Sequence, residues 1–186
     1  DLQDDPQARE KALAQLHAGI DRASRLVDQL LTLSRLDSLD NLDDVEPITL
    51  ADLLQSAVLD IWHPAQQAGI DIRLINHAPQ VKRQGQPLLL SLLVRNLLDN
   101  AIRYSPRGSV VDVTLDARSF SVRDNGPGVD PEVLARIGER FYRPPGQNAT
   151  GSGLGLSIVR RIAALHGMHV SLSNAAEGGF EVKVSW

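Results

Sequence analysis

The sequence predicts an α/β protein: a two-layer sandwich in which a mixed, mostly antiparallel sheet is covered by helices on one face, preceded by a long amphipathic helix. Beyond residue 48, segments of period-two alternation follow segments of helical period, with few long crossovers. Residues 6–36 instead show one uninterrupted helical pattern. With 186 residues, of which 42% are hydrophobic and 23% charged, the chain can bury one globular core.

The N-terminal helix is indicated by apolar residues that alternate in steps of three and four. They are Leu13, Leu16, Ile20, Ala23, Val27 and Leu30, with Leu26 and Leu33 widening the stripe. Asp5 supplies an N-cap and Pro6 a first-turn proline. Because this stripe has little core of its own to cover, we expect it to pack on another helix, in a hairpin or an oligomer. The acidic segment 37–47 predicts a linker.

The predicted elements after the linker follow one another closely. The helices cover residues 50–67, 87–104, a short segment capped by Asp130-Pro131, and 153–166. The strands lie within residues 70–74, 81–84, 111–115, 120–124, 170–172 and 180–186, and the last two form a hairpin. Residues 138–152 show no period.

Composition and charge exclude several function classes. A formal charge of -4 argues against a dedicated nucleic-acid binder, so any phosphate recognition must be local. The sequence has no cysteine, which excludes a disulfide framework and thiolate chemistry. No apolar stretch approaches the roughly 20 residues of a membrane span. The acidic start lacks a secretory signal and an initiating methionine, so we expect a piece of a longer protein.

The helix before Ser105 carries polar groups on one side. Asn96, Asn100, Arg103 and Tyr104 lie at i, i+4, i+7 and i+8, opposite a broad apolar stripe. Amide oxygens can bind a hard cation, and an arginine one turn further can meet an oxyanion. In isolation this spacing is typical of a solvated polar face, so its meaning depends on the motifs that follow.

Asp124-Asn-Gly-Pro-Gly128 ends a predicted strand. Period two places Asp124 on the same apolar side as Phe120 and Val122, where a carboxylate is costly unless a donor meets it. A hairpin turn is the alternative interpretation. The segment that follows begins a helix and not a strand, which favours a functional turn.

A glycine-rich loop with Gly151, Gly153 and Gly155 leads directly into the last predicted helix. Glycines let backbone N–H groups approach an anion, and the helix N-terminus adds partial positive charge, so a nucleotide phosphate is the natural ligand. The dinucleotide-binding pattern does not fit, because no strand directly precedes the loop. The P-loop pattern is excluded, because no Gly-Lys-Ser/Thr occurs.

In this order and spacing, the motifs resemble the ATP-binding catalytic domain of sensor histidine kinases, in the wider family of gyrase, the Hsp90 chaperones and the MutL repair proteins. Residues 96–104 resemble the N box, 124–128 the first glycine box, 139–143 the F box and 151–155 the second glycine box. The resemblance covers about residues 48–186 and implies a Bergerat-type ATP-binding fold. It identifies residues 43–186 as the catalytic domain, and 1–42 as the second helix of the dimerisation and phosphoacceptor hairpin plus a linker.

The resemblance also implies roles for single residues. Asp124 would accept the adenine amino group, Tyr104 would pack by the base, and Asn100 would hold Mg²⁺ against the phosphates of ATP. The catalytic set would be Asn96, Asn100, Arg103 and Arg140. The nucleotide-binding set would be Asn96, Asn100, Arg103, Tyr104, Asp124, Gly126, Gly128, Phe141, Gly151, Ser152, Gly153, Leu154, Gly155 and Leu156. Residues 138–152 would form a lid.

Asn96 distinguishes a kinase from the hydrolysing relatives in this resemblance. Those relatives carry a glutamate that activates water, whereas an amide cannot act as a general base. We therefore expect transfer to a histidine and then to a response regulator, by a homodimer of the bacterial inner membrane whose cytoplasmic portion is this chain. A gyrase- or Hsp90-type ATPase and a non-catalytic dimerisation or phosphatase module are the alternatives.

The acceptor motif of the family, His-Glu/Asp-x-x-x-Pro, does not occur in this sequence. His17 lacks the neighbouring acid and proline, and we expect it to be a solvated helical residue. The other four histidines have no metal-ligand spacing and are expected to be structural.

Overall fold

The computed structural model describes residues 6–143, 151–176 and 178–186. Its helices are α1 Pro6–Asp37, α2 Leu50–Ala68, α3 Pro87–Tyr104, α4 Pro131–Arg136 and α5 Gly155–Leu165. Its strands are β1 Glu46–Thr49, β2 Asp71–Asn76, β3 Lys82–Gly85, β4 Val110–Asp116, β5 Ser119–Asp124, β6 His169–Asn174 and β7 Phe180–Ser185. The predicted cap Asp5, and residues 144–150 of the predicted lid, lie outside the described residues.

Five of the strands form one sheet in the order β2-β4-β5-β7-β6. β2 and β4 are parallel, and the other three neighbouring pairs are antiparallel. The parallel pair is possible because β3 and α3 form a long crossover between its two strands. The prediction of a mixed, mostly antiparallel sheet is confirmed.

The helical layer consists of α2, α3 and α5, with α3 packed between the other two. Alternate residues of β4 are completely buried against this layer, namely Val111, Val113 and Leu115. From α3, Leu93 and Leu98 are equally buried. The core is therefore the interface between one sheet face and three amphipathic helices, which is the predicted two-layer sandwich.

The predicted linker over residues 37–47 extends too far. Glu46–Thr49 forms β1, which pairs antiparallel with β3 in a separate two-stranded sheet. The strand has only four residues and contains Pro47, so it lacks the alternation that would have indicated it. The last helix is also shorter than predicted, since it begins at Gly155 and not at Gly153.

Helix α1 has two different faces. On the predicted apolar stripe, Leu13, Leu16, Ile20 and Val27 are between 49% and 63% exposed. Leu33 was predicted to widen that stripe, but it is buried together with Leu36 where α1 meets α5. The C-terminal end of α1, from Leu33, therefore belongs to the core, while the stripe from Leu13 to Val27 presents an uncovered apolar surface. Across the described residues, no helix is both long and apolar enough to cross a bilayer.

His166, at the C-terminal end of α5, joins α5 to the start of α3. Its Nε2 accepts from the Gln86 N–H at 3.1 Å, and its Nδ1 donates to the Ile162 carbonyl at 2.8 Å. Both bonds are satisfied by one neutral tautomer. The side chain is buried, and this burial lowers its pKa below the usual 6.5.

We expect His166 to make folding stability fall in acid. Because its pKa is lowered in the folded state, the unfolded chain takes up the proton first, and stability decreases as the pH falls below 6.5 towards the folded-state pKa. Urea unfolding at neutral and mildly acidic pH would measure this loss. It should be smaller in His166→Gln and unchanged in His17→Gln, because His17 is exposed on α1. If His166→Gln lost as much stability in acid as the unmodified chain, this assignment would be wrong.

Candidate active site

A deep cleft lies between α3, the end of β5, and the segment that leads into α5. Its empty space, counting the part open to solvent, is about 1210 Å³. The predicted site residues that line it are Asn96, Asn100, Arg103, Tyr104, Asp124, Gly128, Gly151, Ser152, Gly153, Gly155 and Leu156. Motifs separated by up to 60 positions in the sequence therefore surround one cavity.

Asp124 lies at the apolar end of the cleft, with Val122 and Val182 among its lining neighbours. Its carboxylate is buried, and it accepts hydrogen bonds from the backbone N–H groups of Gly126, at 2.9 Å, and Phe180, at 3.2 Å. Both bind Oδ1. No described residue donates to Oδ2, so this oxygen can accept a hydrogen bond from a ligand.

The turn after Asp124 is held in place by β6 and β7. The side chain of Asn174 accepts from the Val129 N–H at 2.8 Å and donates to the Val129 carbonyl at 2.6 Å. Gly179, at φ +94°, packs so closely on the turn that a Cβ there would overlap the carbonyl oxygen of Asp124. Asn174 was missed by sequence analysis because a single asparagine in a strand carries no motif.

Asn96 and Asn100 form the floor of the cleft beneath the start of α5. The Asn96 Nδ2 donates to the Leu92 carbonyl at 2.8 Å, which leaves its Oδ1 turned towards Gly155. A Cβ at Gly155 would lie 3.3 Å from the Asn96 Oδ1 and 3.3 Å from the Asn100 Nδ2. Asn96 is only 8% exposed, so it does not belong to a solvated polar face.

The glycine loop places the N-terminus of α5 in the wall of the cleft, with Gly151, Gly153 and Gly155 among the lining residues. A Cβ at Gly151 would lie 3.0 Å from the Arg103 Nη1 and 3.2 Å from the Tyr104 hydroxyl. The Ser152 hydroxyl accepts from the Leu154 N–H at 3.1 Å. Arg103 therefore lies beside the glycine loop that leads into α5, and a guanidinium near a helix N-terminus suits anion binding.

Asp99 also lines the cleft and was not singled out by sequence analysis. Partial burial raises the pKa of its carboxyl, and the charges of Arg95 and Arg103 act in the opposite direction. The Arg95 Nε lies 3.9 Å from the carboxylate. The i−4 and i+4 spacing of these arginines is the sequence signal that could have identified it.

Four predicted site residues do not line the cleft. Gly126 supports Asp124 through its N–H, and Leu154 is completely buried in the core. Phe141 is 58% exposed, with a φ of +65°. Arg140 pairs with Asp37 at the end of α1, with its Nη2 2.8 Å and 3.0 Å from the two carboxylate oxygens.

Helix α1 supplies a cleft residue that no motif indicated. The Gln29 Oε1 accepts a hydrogen bond from the Ser152 hydroxyl, and Gln29 lines the cleft. Arg161 of α5 holds the end of α1 by donating to the carbonyls of Leu36, at 3.0 Å, and Leu39, at 2.6 Å. The N-terminal helix therefore forms part of the wall at the glycine-loop end.

Comparison with known proteins agrees with this geometry. Residues 85–186 match the family of histidine kinase-, DNA gyrase B- and HSP90-like ATPases. The chain belongs to this family. This ATPase family is defined by an ATP-binding domain, and the match covers the N-box helix, both glycine motifs and the C-terminal hairpin.

Curated relatives of the chain include sensor proteins. Sensor protein QseC of Salmonella typhimurium (strain LT2) and that of Escherichia coli (strain K12) are 79% and 78% identical over 183 residues, which is 98% of this chain and 41% of each relative. Sensor protein kinase PmrB of Pseudomonas aeruginosa is 38% identical over 97% of this chain and 39% of that relative. The chain thus spans less than half the length of these curated relatives.

Solved structures show the same fold. The cytoplasmic segment of histidine kinase QseC has 64% sequence identity and a TM-score of 0.66, covering 90% of this chain and 93% of that one. Full-length ShkA in complex with AMPPNP has 28% identity and a TM-score of 0.80, covering 97% of this chain and 38% of that one. The chain is therefore homologous to sensor histidine kinases, and the predicted ATP-binding kinase fold is confirmed.

Proposed function

We propose that this chain binds ATP with Mg²⁺ in the cleft and transfers the γ-phosphoryl group to a histidine outside these 186 residues, from which it passes to an aspartate of a response regulator. One observation carries the proposal: a buried carboxylate with a free acceptor and a helix N-terminus line one cleft, together with Asn100 and Arg103. Phosphoryl transfer depends mainly on such positioning and charge neutralisation.

The apolar end suits the adenine base. The Asp124 Oδ2 can accept from the exocyclic amino group of adenine, and the apolar side chains of Val122 and Val182 can contact the ring. A guanine would present a carbonyl oxygen to the same carboxylate, which is repulsive. This end of the site therefore accounts for selection of adenine over guanine.

The other end suits the triphosphate. The N-terminus of α5 offers backbone N–H groups to phosphate oxygens, and Arg103 adds a full positive charge. The Asn100 amide oxygen can serve as a protein ligand of Mg²⁺, which neutralises phosphate charge when it is bound. Among the described residues no cluster of three acidic or histidine side chains offers a metal site, so most of the ligands would come from phosphate and water.

Asn96 favours transfer over hydrolysis. Its Nδ2 is committed to the Leu92 carbonyl, and an amide cannot take a proton from water. An ATPase of the gyrase or Hsp90 type needs a general base at this position. Steady ATP hydrolysis by the purified chain would favour that alternative, and failure to bind nucleotide would favour a non-catalytic dimerisation or phosphatase module.

We further propose that residues 43–186 are the catalytic domain and residues 1–42 the second helix of a dimerisation hairpin with its linker. The uncovered stripe Leu13, Leu16, Ile20 and Val27 is suited to packing against the acceptor helix and a second subunit. In the whole protein, this region would lie on the cytoplasmic side of the inner membrane and act on a response regulator, with no nucleic acid involved.

Calorimetric titration of the chain with ATP and GTP, each with Mg²⁺ and with EDTA, tests the nucleotide assignment. We expect ATP to bind with Mg²⁺ and GTP to bind far more weakly. A longer protein that carries the acceptor helix, mixed with radiolabelled ATP, tests the transfer step. Acid-labile phosphate on that helix supports the kinase assignment, and a nucleotide-binding chain that never labels it contradicts the assignment.

We expect Asn100→Ala to weaken ATP binding mainly when Mg²⁺ is present. The amide oxygen is proposed to act through the metal, so its loss should reduce affinity by about tenfold with Mg²⁺ and much less in EDTA. The same titration in the two buffers measures the difference. Asn76→Ala is the control, because this exposed asparagine lies at the end of β2 and does not line the cleft. An equal loss of affinity in both buffers would assign Asn100 a packing role instead.

A further inference from the structure

A second cavity continues from the nucleotide cleft towards α1. Gln29, Arg103, Gly151 and Ser152 line both cavities, so the second one opens from the glycine-loop end of the first. Its other wall is α1, which contributes Arg22, Arg25 and Leu26. The cavity therefore lies beyond the position proposed for the phosphates, on the side away from Asp124.

The charge of this second cavity is strongly positive. Arg22, Arg25 and Arg103 line it, and the described lining residues include no aspartate or glutamate. Three guanidinium groups around one space repel one another, and an anion that enters the space relieves this repulsion. Arg25 is oriented by its Nε, which donates to the Asp21 carbonyl at 3.2 Å.

The attachment of α1 keeps these arginines beside the cleft. Arg22, Leu26, Gln29, Leu33 and Leu36 recur in steps of four and three, so they share one face of the helix. The C-terminal part of this face is fixed by buried Leu33 and Leu36, and its middle part by the Gln29–Ser152 hydrogen bond. Arg22 and Arg25 lie on the N-terminal side of these contacts, on the same face.

We propose that Arg22 and Arg25 complete the phosphate end of the nucleotide site and contact the terminal phosphate, so that α1 enables the site to discriminate ATP from ADP. The inference rests on the proposed function, because it assumes that the phosphates lie at the glycine loop. It places the terminal phosphate next to the helix on which the acceptor segment is proposed to pack. ADP, which lacks that phosphate, does not reach the two arginines.

The test compares the affinities of ATP and ADP, both with Mg²⁺, for the full chain and for the double variant R22Q/R25Q. We expect the variant to lose about tenfold or more in ATP affinity, since hydrogen bonds to a charged phosphate are lost, while ADP affinity is retained. Retained ADP binding also shows that the variant is folded. The matched control R9Q/K11Q removes two positive charges from α1 outside the cavity and should leave both affinities unchanged.

The outcomes separate this inference from the proposed function. If the unmodified chain binds neither nucleotide, the proposed function fails and the inference fails with it. If the unmodified chain binds both, but R22Q/R25Q leaves the ratio of ATP to ADP affinity unchanged, only the role of the arginines is overturned. An equal loss for ATP and ADP, or the same loss in R9Q/K11Q, would indicate a general charge effect and would also overturn it.

Discussion

Asp124→Asn is expected to lower ATP affinity by about tenfold to a hundredfold, the effect of leaving one buried group mispaired. The physical reason lies in the two backbone donors. Gly126 and Phe180 both donate to Oδ1, so an asparagine at this position must keep its carbonyl oxygen there. Its amide NH₂ then occupies the position of Oδ2 and faces the amino group of adenine, donor against donor.

The same substitution should shift selectivity towards GTP, because the guanine carbonyl can accept from the new NH₂ group. Calorimetric titration with both nucleotides measures the change. Asp60→Asn is the matched control, since this exposed aspartate lies on α2 away from the cleft. Unchanged ATP affinity and unchanged nucleotide selectivity in Asp124→Asn would show that this residue does not recognise the base.

Gly179→Ala is expected to be the most damaging single-methyl change in the site. Its Cβ would overlap the carbonyl oxygen of Asp124 and lie 2.8 Å from the carbonyl carbon, at a φ of +94°. The left-handed conformation costs about 1–2 kcal/mol, and moving backbone apart costs about 1–3 kcal/mol more. Because Asp124 itself must move, nucleotide affinity should fall along with stability.

Gly108→Ala is a control that separates the two effects. Gly108 has a similar φ of +85°, but a Cβ there meets nothing within 4 Å. It should therefore lose only the conformational part, about 1–2 kcal/mol, and should keep its nucleotide affinity. Urea unfolding and nucleotide titration of both variants measure the difference. Equal losses of stability in the two variants would show that the approach of Gly179 to Asp124 does not matter.

Helix α3 is an element that local sequence determined almost completely. Pro87 opens it, Ser105-Pro-Arg-Gly108 stops it, and both observed ends match the prediction. The need for donors around Asp124 was likewise visible, because period two placed a carboxylate among apolar side chains. These signals depend on residues that are neighbours in the chain, so they can be read without knowing the fold.

The hydrogen-bond and ion-pair partners of the site residues could not be predicted from neighbouring residues in the chain. The N–H that meets Asp124 comes from Phe180, 56 residues further along the chain, and depends on how β5 pairs with β7. Arg140 was predicted at the phosphates from its position in a motif, but it pairs with Asp37 across 103 residues. A local sequence pattern indicates what a side chain can bind, but it does not determine which distant residue the side chain contacts.

Helix α1 shows most clearly which features local sequence determines and which depend on tertiary packing. Its sequence determined a long amphipathic helix with an apolar stripe that lacks a core of its own, and the exposed Leu13, Leu16 and Ile20 agree with this. Only the tertiary structure decided that a second face, from Arg22 through Gln29 to Leu36, lies against α5 and the cleft. Helical periodicity determines which residues share a face, but the contacts of that face depend on long-range packing, which local sequence does not encode.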